Sequence, residues 1–165
     1  MFMDNLVAQL LNLLREMLAC QEQLLRIALI RQDAMRAYDV ERLTALIEEE
    51  RAYMQRSEEF TRRRLALIGQ FRLHLKNAQP NVTEIAKHTT EPARTQLLAI
   101  ATQLRNVTEK LERNTRINAT VSEAVVKSIA KVLKIVTGIA QHAGLYMRNG
   151  RKASVRGIHL LEVTA

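Results

Sequence analysis

The stretch IATQLRNVTEKLERNTRINATVSEAVVKSIAKVLKIVTGIAQHAGLY, residues 100–146, decides the fold class. In it Ile100, Leu104, Val107, Leu111, Asn114, Asn118, Val121, Val125, Ile129, Val132, Val136, Ile139, Ala143 and Tyr146 recur at alternating steps of four and three. One extra step of four falls between Val125 and Ile129. Such spacing places every member on one stripe of an α-helix. Its average predicts a heptad seam with left-handed supercoiling, relaxed near the single stutter. Arg113, Arg116, Lys127, Lys131 and Lys134 fall on the opposite face, so the segment reads as one long amphipathic helix.

Upstream, the same periodicity appears twice more. Leu6, Leu10, Leu13, Met17, Cys20, Leu24 and Ile27 form a stripe that Val7, Leu11, Leu14, Leu18 and Leu25 widen, which predicts a helix buried along a broad face. Asp39 offers an N-cap for a second run carrying Leu43, Leu46, Ile47, Met54, Phe60, Leu67, Ile68, Phe71 and Leu75. The runs Glu48-Glu49-Glu50 and Arg62-Arg63-Arg64 read as a solvated helix face. The one substantial break is roughly 77–92. There Asn81 followed by Glu84 resembles a capping box for a short helix, Thr90 is placed to cap the last long helix, and Pro92 fits its first turn.

These features predict an all-α, elongated antiparallel bundle of three long helices with coiled-coil-like packing plus a short connecting helix. The helices are expected at about 4–38, 40–76, 82–88 and 91–148. They form a single domain over 1–150, with Gly150 as the helix stop and a basic, flexible tail over 151–165. Composition agrees. With 5 Gly and 2 Pro among 165 residues there is little turn material for a β-sandwich or barrel.

Function classes narrow in the same way. The single cysteine, Cys20, cannot form an internal disulfide, which fits a reducing compartment and a cytoplasmic protein. No export signal is recognisable and no run of about 20 apolar residues could cross a bilayer, so membrane insertion is not expected. His74, His88, His142 and His159 are far apart, and no zinc, calcium, di-iron, phosphate-loop or nucleophile-elbow pattern occurs. The chain is therefore read as a non-enzyme with no catalytic residues, metal ligands, cofactor or small-molecule substrate. The formal charge is +8, and the excess is uneven: residues 78–165 hold 13 Lys/Arg against 6 Asp/Glu. That asymmetry points to an acidic partner or to nonspecific electrostatics.

The order of segments resembles the FlgN family of flagellar export chaperones. The resemblance rests on Asp33 through Tyr38-Asp39-Val40-Glu41-Arg42-Leu43 at the first turn and on Asn81-Val82-Thr83-Glu84-Ile85-Ala86 in the short helix. It also rests on Asn114 and Asn118 at a four-residue interval and on the terminal Tyr146-Met147-Arg148-Asn149-Gly150. It implies a cytosolic chaperone that binds hook-associated proteins of the FlgK and FlgL type and delivers them to the flagellar type III export apparatus. It also implies that the C-terminal region captures an amphipathic helix of the substrate. Secretion chaperones are often acidic, and the sequence pI of about 10.1 departs from that habit.

The partner-binding residues expected on this basis are Val121, Val125, Ile129, Val132, Val136, Ile139 and Tyr146. Residues before Val121 read equally well as internal core. Asn114 and Asn118 either fix register as buried amides or turn to water. Two other readings stay open: a homo-oligomeric structural coiled coil, and nucleic-acid binding through the basic face. The second is disfavoured by the lack of a reader motif and of stacking aromatics.

Overall fold

A computed structural model describes residues 2–76 and 80–143. It is all-α, with no strand among the described residues. The helices are α1 (Phe2–Ala37), α2 (Val40–Leu75), α3 (Val82–Lys87) and α4 (Ala93–Ala143). The chain divides into two compact units, 1–122 and 123–165, with α4 contributing to both. Residue 144 onward, including Tyr146, Gly150 and the expected tail, lies outside the described residues.

The turn between α1 and α2 is two residues long and its hydrogen bonds explain why. Asp39 N–H donates to the Ala34 carbonyl at 2.9 Å and Tyr38 N–H to the Met35 carbonyl at 3.3 Å. This is the paired bonding of a Schellman stop, with Tyr38 in the left-handed conformation (φ 54°) that glycine usually supplies. Asp39 Oδ1 then accepts from Arg42 N–H at 2.9 Å, so one residue ends the stop and caps the next helix.

Neighbours across the hairpin confirm the reversal. Glu16 meets Arg63, Gln21 meets Ser57 and Arg31 meets Glu50, so as numbers rise in α1 they fall in α2; Arg26 also pairs with Glu49. The Arg62-Arg63-Arg64 run lies at the surface as a solvated face should, whereas Glu49 and Glu50 are half-buried. Glu49, Glu50 and Arg63 tie the two helices together, and the Arg31–Glu50 pair is bidentate.

Burial also corrects the seam of α2. Ile47 and Met54 are exposed, while Leu46 is buried and Tyr53 half-buried. The contact line follows Leu43, Leu46, Glu50, Tyr53, Ser57, Phe60, Leu67 and Phe71, a heptad pattern displaced by one residue at Ile47 and Met54. One residue is 100° around a helix, enough to turn those two side chains away from α1.

Apolar packing concentrates at the end of the first unit where α3 sits. Leu6, Leu10, Leu13 and Leu14 of α1 meet Leu67 and Phe71 of α2, Ile85 and Ala86 of α3, and Leu97 and Ile100 of α4. The short helix is held by Asn81, whose Oδ1 accepts from Glu84 N–H at 2.8 Å. Glu84 does not complete the box and pairs with Lys87 instead. At the start of α4, Pro92 precedes the helix, which begins at Ala93. The Glu91 carboxylate, rather than the Thr90 side chain, takes the Thr95 amide at 3.3 Å and its hydroxyl at 2.7 Å. The longer side chain reaches over the proline that displaces the helix start.

Two substitutions test these local causes. A Cβ added at Gly69, within α2, would meet nothing within 4 Å. Gly69→Ala should therefore raise unfolding free energy by about 0.5–1 kcal/mol in urea titration. Asp39→Ala should lower it by about 1 kcal/mol through the lost cap.

Candidate functional site

Chemical candidates are few. Among the described residues no group of three or more His, Cys, Asp or Glu could hold a metal ion. No described helix is long and apolar enough to cross a membrane. Cys20 is buried and its Sγ–H points to the Tyr53 carbonyl at 3.4 Å. Burial pushes its thiol up, with a smaller opposing pull from Arg56, so the reactive thiolate is disfavoured.

What remains is the long helix α4, whose character changes along its length. Leu97 and Ile100 are buried, and Leu104, Val107, Leu111 and Asn114 are half-buried. Asn118 is 7% exposed and donates from Nδ2 to the Ala28 carbonyl of α1 at 2.7 Å. The two seam asparagines thus divide between the alternatives posed by the sequence. Asn118 is a buried cross-helix amide, whereas Asn114 donates back to the Lys110 carbonyl of its own helix at 2.8 Å. Val121, still in the first unit, is half-buried.

In the second unit the same helix carries apolar side chains in the open. Val125 is half-buried, but Ile129 is 49% exposed and Val132 and Val136 are each 56% exposed. Val126, Leu133 and Ile135 are exposed beside them. Sequence reasoning missed these three by following a single heptad line. At 100° per residue Val126, Ile129, Leu133 and Val136 share one face with Val132 along its edge, while Ile135 falls about 100° beyond Val136. Lys127, Lys131 and Lys134 lie on the other. A contiguous exposed apolar face of this kind is a protein-interaction feature. Of the remaining expected residues, the Ile139 side chain, Tyr146 and Gly150 lie outside what is described.

A family model described as FlgN protein matches residues 1–154. The chain belongs to the FlgN family. This is a family of flagellar chaperones, and its match covers both the helices of the first unit and the exposed face of the second. No curated protein and no solved structure matches the chain.

Asn118 ties α4 to α1 near the end of the first unit. Asn118→Asp would set a carboxylate against the Ala28 carbonyl, and should cost about 2 kcal/mol or more. Asn118→Leu, which buries no amide, should be neutral or stabilising by about 1 kcal/mol while loosening helix register. Urea titrations of the two variants check both signs.

Proposed function

We propose that this protein is a cytosolic chaperone for hook-associated flagellar proteins of the FlgK and FlgL type. It binds their amphipathic C-terminal helices, prevents early assembly and delivers them to the flagellar type III export apparatus. The observation that carries this reading is the exposed apolar face of α4 around Ile129, Val132 and Val136, in a chain of the FlgN family.

The physical step is helix-on-helix capture. A free amphipathic helix has an apolar stripe that would find another copy of itself. The branched and small side chains of α4 offer that stripe a matching surface about three turns long. Each half-exposed Ile or Val covered by a partner contributes on the order of 1 kcal/mol, so several are needed for stable capture. Lys127, Lys131 and Lys134 stay in water on the far face and help keep the free chaperone soluble. Val121, Val125, Ile139 and Tyr146 extend the proposed surface at its two ends. In this reading the three long helices pack as an antiparallel bundle, and residues 1–150 act as one domain, with 151–165 as a tail. The protein performs no chemistry of its own.

The test is the double variant Ile129→Asp, Val136→Asp in the full chain. Because both positions are half-exposed, helicity by circular dichroism should be retained while co-purification of a hook-associated protein falls at least tenfold. Loss of fold together with binding would assign the stripe to the internal core instead. A concentration-dependent mass of the unmodified chain, abolished by the same variant, would favour a homo-oligomer.

A further inference from the structure

A groove of about 930 Å³ opens in the first unit. Leu65 and Ile68 of α2, Leu104 of α4 and Leu10 and Leu14 of α1 line it, together with residues 80–83 at the start of α3. Leu65 is 61% exposed although it lies within two turns of the best-packed part of the protein. The wall from Arg64 to Arg72 is about 12 Å long and that from Ala101 to Glu112 about 16 Å, or two to three helical turns. An open trough of that length between helices has the form that takes a further helix.

The rim states the charge of the occupant. Arg64, Arg72 and Arg105 line the groove, and none has a hydrogen bond or ion pair among the described residues. Arg63, one residue from Arg64, is by contrast paired across helices with Glu16, as Arg26 and Arg31 are with Glu49 and Glu50. Glu109 and Glu112 also reach the rim, but Glu112 already lies 3.9 Å from Arg116. The free charge at the groove is therefore positive. A second copy of this chain is a poor occupant, since each carries a net +8.

We propose that this groove is a second docking site, which takes an acidic amphipathic helix of a partner protein. Leu65, Ile68 and Leu104 receive its apolar stripe. Arg64, Arg72 and Arg105 receive its flanking carboxylates, which set orientation and speed of encounter more than affinity because the pairs are exposed. The site shares no residue with the α4 face around Ile129, so it stands whether or not that face captures substrate.

The experiment uses the full chain and two labelled synthetic peptides of about five helical turns with an identical leucine stripe, one flanked by Glu and one by Lys. Fluorescence anisotropy should show the Glu peptide binding at least tenfold more tightly than the Lys peptide. Leu65→Asn, which leaves the charge unchanged, and the double variant Arg72→Glu, Arg105→Glu should each weaken the Glu peptide at least tenfold. The Ile129→Asp, Val136→Asp chain, which removes capture at the α4 face, should keep at least a tenfold preference for the Glu peptide. All three groove positions are exposed, and the arginine variant keeps the test decisive if Leu65→Asn loses helicity. Equal binding of both peptides, no binding of either, indifference to the groove variants, or loss of that preference in the Ile129→Asp, Val136→Asp chain would each overturn the proposal. So would a dimer in sedimentation that Leu65→Asn dissociates, because the occupant would then be a second copy.

Discussion

A helix that packs on one neighbour needs one apolar stripe; α1 carries two. Leu6, Leu10, Leu13, Cys20, Leu24, Ile27 and Ala34 make one seam, and Val7, Leu11, Leu14, Ala28 and Met35 make a second beside it, and all of these residues are buried. Burying both requires two partners along its length, which fixes the architecture of the first unit. The left-handed stop at Tyr38 brings α2 back as the first partner. The short α3, plugged into the core by Ile85 and Ala86, lets α4 return as another. Removal of a fully buried member such as Leu10 should be felt by all the elements that meet at it, at roughly 2–5 kcal/mol.

Polar contacts decide how the helices are aligned. Beyond the apolar end, the hairpin is matched by Gln21 with Ser57, Arg26 with Glu49 and Arg31 with Glu50. Each exposed pair contributes little to stability, but a slip of one turn would part several together. Asn118 performs the same service for α4 against Ala28. Past it the helix enters the second unit and its apolar side chains stand in the open. A seam that is buried up to Asn118 is thus exposed beyond Val125, in a chain of a chaperone family.

Helix number, order and the two sharp starts at Asp39 and Asn81 were legible because periodicity and capping are local signals. Less was legible where the outcome depends on which neighbour a face meets. Ile47 and Met54 continue an apolar pattern plausibly, yet the true line on α2 passes through Glu50 and Ser57, polar residues that only their partners on α1 explain. Glu49 and Glu50 read as part of a solvated run for the same reason, because only Arg26 and Arg31 of α1 show why they are half-buried. On α4 the stripe is continuous in sequence from Ile100 onward, and periodicity alone does not say where core ends and surface begins. The basic groove beside Leu65 has no sequence signature at all, since it is a gap lined by residues from all four helices.

The central claim is that one helix serves as core in its first half and as a capture face in its second. Hydrogen exchange of the full chain, with and without the C-terminal helix of a hook-associated protein, tests it most directly. The account predicts that amides of 97–118 are strongly protected in both states, while those of 126–136 are weakly protected alone and gain at least tenfold on binding. Equal, strong protection of both stretches in the free chain, with no change on adding the helix, would contradict it.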